Sequence, residues 1–407
     1  MNDISIYFIS SLVFTFIWFI FGRISYKSLF LCLFHILLGS IFLYFTLNNA
    51  ADSQRFFSLG SPYACFLSAL EPEQLKYGQT LKLDFSNSYI LYCFTGIIKL
   101  FFNNYGFATS IFSFLGFLGL NYFYQNSLSL ISSKNFDKAF LHLIFFLPSI
   151  SFWTSGISKE SLIIFSYSLI FEIITNDKLS FLNYKYLLKF ALGIICILLV
   201  RPYTLMFLLV AIFISRLPSL VGLIKTLKTD LKTFFIIIFS LLLVKPVITI
   251  FGTVISVQGL NNLNLELILQ RISISKASAI ESGGSYITEQ GIAKTLLILS
   301  GPYSSKSFNF IVESFTGICS GILIIRLIYI SLISRSEIIK PYFLFIITYC
   351  SLELLKFQYA VFNLGIVVRQ RTHIVVLLAT LLSILIYKRK YKKKVINFQE
   401  FEFRQIK

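Results

Sequence analysis

The chain has 407 residues, 56% hydrophobic and 13% charged, with 46 Phe, 22 Tyr and a mean hydropathy of +0.79. A soluble domain carries roughly 25% charged residues, so a water-soluble globular fold is excluded, and many apolar runs reach the ~17–25 residues that a bilayer core demands. The formal charge of +18 does not point to nucleic acid, because Lys and Arg are spread between the apolar runs, where they set orientation in a membrane.

The expected fold is all-α: a polytopic integral membrane protein, one membrane domain over residues 1–407, with about eleven transmembrane helices. Ile4–Phe21 reads as the first span and Leu29–Leu47 as the second. Asn2 and Asp3 stand where a cleavable leader would carry basic residues, so the first span is expected to be retained. An outer loop covers 48–106 and holds Asp52 and Arg55. Within it Tyr89–Phe102 is apolar but interrupted by Lys99, and is expected to re-enter the membrane or to lie along its surface. Phe107–Tyr124 is the third span. Ala139–Trp153 and Ser161–Thr175 follow, and between them a short polar turn carries Lys159 and Glu160 side by side. Tyr186–Val200 and Tyr203–Ser215 are short spans that meet at Arg201-Pro202, and a basic loop, Arg216–Lys232, leads into Thr233–Phe251. A second outer loop covers 252–307. The spans Phe308–Ile333, Tyr342–Asn363 and Ile374–Tyr387 and a basic tail over 388–407 complete the chain.

If Tyr89–Phe102 does not cross, the side holding the C-terminus collects roughly twice as many Lys and Arg as the opposite side, which makes the C-terminus cytoplasmic and the N-terminus external. The six cysteines (Cys32, Cys65, Cys93, Cys196, Cys319, Cys350) show no CxxC spacing, so neither a metal nor a redox framework is expected.

On this topology Asp52…Arg55, Lys159-Glu160, Arg201 and Arg369-Gln370-Arg371 all meet the outer face. Arg201 is flanked by runs too short to cross unless it lies slightly below the membrane surface, where a charge either pairs or serves a function; the bland reading is a snorkelling arginine at a tight hairpin. Arg369 and Arg371 run against the positive-inside trend if they sit on a short outer loop, and a guanidinium fork matches phosphate oxygens bidentately. His373 behind them reads as an interfacial histidine with satisfied bonds rather than as a base. Ser158 through Glu160 has the pattern of a helix N-cap, which accounts for the carboxylate but not for Lys159. Asp52 is a candidate general base or partner for Arg55, and the bland reading is a solvated loop acid. No DxD or His/Asp cluster appears on the outer face, so no metal and no cofactor are expected. In the second outer loop Tyr286 and Tyr303 are candidates for stacking on sugar rings.

Three stretches carry a resemblance: LPSISFWTSGISKE over 147–160, RPYTLMFLL over 201–209, and NLGIVVRQRTHIVVLL over 363–378. Together with the layout of spans, the chain resembles the Wzy-type O-antigen and capsule repeat-unit polymerases and, more distantly, the membrane-embedded GT-C glycosyltransferases. Metal-using GT-C enzymes carry an outer DxD-type motif, whereas Asp52-Ser53-Gln54 has a single acid. The resemblance implies an enzyme of the bacterial cytoplasmic (inner) membrane that joins undecaprenyl-diphosphate-linked oligosaccharides at its outer face. Its partners would be that lipid-linked substrate, the bilayer, a flippase and a chain-length regulator. It further implies that Arg201, Arg369 and Arg371 contact the diphosphate, assisted by Lys159 and Arg55, and that Glu160 or Asp52 accepts the proton. Two other readings stand beside it: another lipid-linked-sugar glycosyltransferase or ligase, and a flippase for the same lipid. A flippase is disfavoured because interior charges are few (Lys189, Lys245, Glu353, Lys356) and no repeat is visible.

Overall fold

The computed structural model describes residues 2–21, 25–48, 52–60, 89–131, 136–175, 184–226, 299, 308–334, 340–360 and 364–405. The expected span Thr233–Phe251, and Tyr286 and Tyr303 of the second outer loop, lie outside the described residues. The described secondary structure is helical: α1 (Asp3–Phe21), α2 (Tyr26–Asn48), α3 (Asp52–Ser58), α4 (Tyr89–Phe101), α5 (Tyr105–Leu130), α6 (Phe136–Phe145), α7 (Pro148–Thr154), α8 (Lys159–Thr175), α9 (Tyr184–Val200), α10 (Pro202–Thr226), α11 (Phe308–Ile333), α12 (Pro341–Ala360) and α13 (Leu364–Gln405).

Among the described residues, five segments are long and apolar enough to cross a bilayer: Asp3–Phe21, Tyr26–Asn48, Tyr105–Leu130, Val312–Ile333 and Val367–Arg389. These fit a membrane-embedded protein. Large apolar side chains such as Phe16, Phe21, Phe30 and Ile325 project from the outer faces of α1, α2 and α11, as surfaces against lipid should.

α5 is the hub, packing against α1, α2, α8 and α13. Close approach there depends on missing side chains. A Cβ at Gly116 would meet the Thr154 carbonyl oxygen at 2.0 Å, and one at Gly119 would meet the Ile164 backbone at 2.7 Å. In lipid, helices gain little from burying apolar surface on one another, so small residues that let backbones touch supply much of the packing energy. Asn104 starts α5, its side-chain oxygen accepting from the Phe107 N–H at 2.9 Å while its amide donates to Asp3 at 2.7 Å. The starts of α1 and α5 therefore lie at one end of the bundle. Tyr105 donates to Thr46 and Ser53, which brings the end of α2 and the start of α3 to that same end.

Four expectations need correction. The span Ala139–Trp153 is two helices, α6 and α7, broken at Phe146-Leu147 before Pro148, whose ring removes an N–H donor and disfavours the α conformation in the residue before it. Arg369-Gln370-Arg371 is not a loop: α13 runs unbroken from Leu364, and it continues through the basic tail to Gln405. α10 likewise extends through Arg216 to Thr226, into the stretch expected to be a basic loop. Finally, no redox framework is expected from the cysteine spacing, yet Cys93 on α4 is disulfide-bonded.

α4 matches the segment expected not to cross. Its Lys99 ammonium donates to the carbonyls of Phe57, Ser58 and Gly60 at 3.2–3.3 Å, at the C-terminal end of α3 where the helix dipole favours a cation. The charge that interrupts this apolar stretch is thus a cap for its neighbour.

Candidate functional site

The turn between α7 and α8 is buried, not an exposed connection. Ser155 through Ser158 are all inaccessible, and Phe42 of α2 packs so closely on Gly156 that a Cβ there would overlap its ring. Serines lock the turn. The Ser158 hydroxyl donates to the Trp153 carbonyl at 3.0 Å and accepts from the Ser161 N–H at 3.3 Å, while the Ser161 hydroxyl donates to Ser158 O at 2.8 Å. Ser158 is the N-cap of α8, as its position suggested.

Capping does not explain Glu160. Its carboxylate forms an ion pair with Arg201, which stands alone between α9 and α10, and both side chains are almost wholly buried. Lys159 beside it is half-buried. Arg369, half-buried on α13, acts electrostatically on the same carboxylate. Three stretches distant in sequence thus converge at one point, and they are the three that carried the resemblance.

A second ion pair lies alongside. Arg371 is 1% exposed and donates to Glu313 of α11 at 2.8 Å. The Ser149 hydroxyl lies 2.8 Å from both Glu313 oxygens, and the Trp153 indole N–H donates to one of them at 2.9 Å. Glu313 ties α7, α11 and α13 together. The Arg369 guanidinium sits over the Trp153 ring, 5.5 Å from its centroid.

A third pair, Glu353 and Lys356, lies on α12. Glu353 is fully buried and accepts from Thr204 at 3.3 Å and from the Tyr349 hydroxyl at 3.1 Å, while Lys356 donates to Gln370 at 2.8 Å. Tyr349 in turn is hydrogen-bonded to Tyr167 of α8. His373 lies between these groups. Its ring is 5.7 Å from that of Tyr167 and 6.1 Å from that of Tyr349, and it feels the charges of Glu353, Arg201, Lys356 and Glu160. It is 2% exposed, and neither ring nitrogen has a hydrogen-bond partner among the described residues.

Burying a charge costs several kcal/mol per ion even after relaxation, and a chain that only had to stay in a membrane could hold its helices with apolar contacts. Here four cationic side chains (Arg201, Arg369, Arg371, Lys356) stand near three carboxylates (Glu160, Glu313, Glu353), so the cluster carries an excess of positive charge. That excess suits an anion.

Of the expected site residues, Glu160, Arg201, Arg369 and Arg371 come together, with Lys159 at the edge. Arg55 is exposed on α3, which packs on α2, α4 and α5. Asp52 begins α3, its side chain lying outside the described residues. Glu313 was not anticipated: it sits among apolar residues at the start of a span, and its partner is 58 residues away. Glu353 and Lys356, read as two of the few interior charges, belong to the cluster. His373 is not the satisfied interfacial histidine expected. No group of three His, Cys, Asp or Glu among the described residues has the arrangement of a metal site. Comparison with protein-family models, curated proteins and solved structures finds no match to this chain.

Proposed function

We propose that the protein polymerises polyprenyl-diphosphate-linked oligosaccharide repeat units at the outer face of the bacterial cytoplasmic membrane. One observation carries the reading: Arg201 from the α9–α10 junction, Arg369 from α13 and Glu160 from α8 converge on a buried, net-positive site inside an otherwise apolar chain. A lipid-linked diphosphate needs that combination, with guanidinium groups for its oxygens and an apolar surround for its tail.

In the reaction, a hydroxyl of one repeat unit attacks the anomeric carbon of another. The carbon–oxygen bond to the diphosphate breaks and its electron pair stays on the leaving diphosphate. Arg201 and Arg369 neutralise the charge that develops there. In the resting protein Glu160 is held by Arg201. A diphosphate that takes over Arg201 releases the carboxylate, which then accepts the proton of the attacking hydroxyl. Arg371, buried and paired with Glu313, positions rather than contacts the substrate.

The side of the membrane is supported by Cys93. Disulfides persist on the oxidising side, and α4 and α3 lie at the end of the bundle where α1 and α5 begin. Phe42, which packs on the buried turn, is near the end of α2 that leads into α3, so the cluster lies nearer that end than the opposite one. This agrees with an external N-terminus.

Deleting the gene should leave surface polysaccharide one repeat unit long on a gel, and restoring Arg369→Ala should leave it so. Normal long chains in the deletion strain would rule the reading out, and loss of every repeat unit would point to a flippase or ligase.

A further inference from the structure

Trp153 lies between the Glu313–Arg371 pair and Arg369, which acts on Glu160. Its N–H is anchored on Glu313, its ring carries the Arg369 guanidinium, and that guanidinium reaches electrostatically to Glu160. Glu313 accepts in addition from Ser149 of the indole's own helix and from Arg371 of α13, so the carboxylate that fixes the indole is itself held in place. A ring pinned in this way has lost its freedom before any ligand arrives, and a pre-organised aromatic surface binds without a further ordering penalty. The indole is half-buried, so it keeps part of its surface open.

We infer that Trp153 is the platform for the sugar ring joined directly to the diphosphate, with Glu313, Ser149 and Arg371 as its positioning residues. This rests on the proposed polymerase reading. In a glycosyl diphosphate the ring is one bond away from the first phosphate, so an aromatic face that touches a phosphate-binding arginine is where that ring must lie. The C–H face of a pyranose stacks on indole through dispersion and the positive edge of its C–H bonds, as other partners do on aromatic faces.

The chain holds two tryptophans, Trp18 and Trp153. Trp18 lies on α1, packed edge-on against Phe117 at 5.1 Å. In the full-length Trp18→Phe protein, reconstituted in lipid nanodiscs, Trp153 reports alone. Two probes are added: sugar-free polyprenyl diphosphate, and the lipid-linked repeat unit extracted from the deletion strain. Radiolabelled versions of both measure binding independently. Both probes should bind, but the repeat unit should shift the Trp153 emission well beyond the sugar-free lipid, whose diphosphate acts on the indole only through Arg369, and Trp153→Leu should weaken repeat-unit binding about tenfold more than it weakens binding of the sugar-free lipid. Equal emission responses to both probes, or equal loss of both affinities, would overturn the platform and leave the diphosphate site standing. Binding of neither probe to the unaltered protein would overturn the polymerase reading along with it.

Discussion

Among the described residues, two seams that bury polar groups do so in opposite ways. Between α1, α2 and α5 the groups are neutral: Tyr7 hydrogen-bonds Ser113 at 2.9 Å, Thr15 meets Cys32 at 3.1 Å, and the His35 Nε2 lies 3.1 Å from the Ser113 carbonyl. A cavity of about 10 Å³ lies among these residues, bordered by Ser11 and His35. Between α7, α8, α10, α11, α12 and α13 the buried groups are charged, in three ion pairs with a histidine among them. The neutral seam is what helix packing in lipid needs, small hydroxyls and close backbones. The charged seam is far more than packing needs. The difference marks where the proposed chemistry would lie.

Substitutions can sharpen that contrast, and the largest effect belongs to Glu313. Glu313→Ala leaves the Arg371 charge buried with its carboxylate gone and should cost about 3–5 kcal/mol of stability, read as thermal unfolding in detergent. Glu313→Leu combined with Arg371→Met removes both charges and should recover most of that loss, yet polymerisation should stay abolished because the Trp153 N–H has lost its anchor. Long chains from the double variant would make the pair mere scaffolding. The neutral seam should behave otherwise. Tyr7→Phe deletes one interhelical hydrogen bond worth about 0.6 kcal/mol, and polysaccharide length should be unchanged. A large loss of chain length there would erase the distinction between the seams.

Much of this architecture is legible in the sequence because lipid demands long apolar runs. The bounds expected for α11 coincide with the helix, and α1, α2 and α9 fall within a few residues. The break at Phe146-Leu147 was also legible, in Pro148, but the apolar run around it masks the signal. α13 was misjudged for a physical reason. Arg369, Gln370 and Arg371 lower the local hydropathy and so resemble a loop, whereas Glu313 and Lys356 give Arg371 and Gln370 partners inside the bundle. A partner so distant in the chain leaves no mark near the residue it satisfies. The site shows the same division. Glu160 and Arg201 were suspected because each is a charge between apolar runs, while Trp153 and His373 are ordinary residues of a membrane protein until their neighbours are seen.

The central claim is that the Glu160–Arg201 pair is kept for substrate and not for folding. Glu160→Gln combined with Arg201→Met leaves no unpaired charge from that pair, so the protein should accumulate in the membrane at its normal level. Surface polysaccharide from cells carrying only this variant, resolved on a gel, should stop at one repeat unit. Chains of normal length would contradict the account.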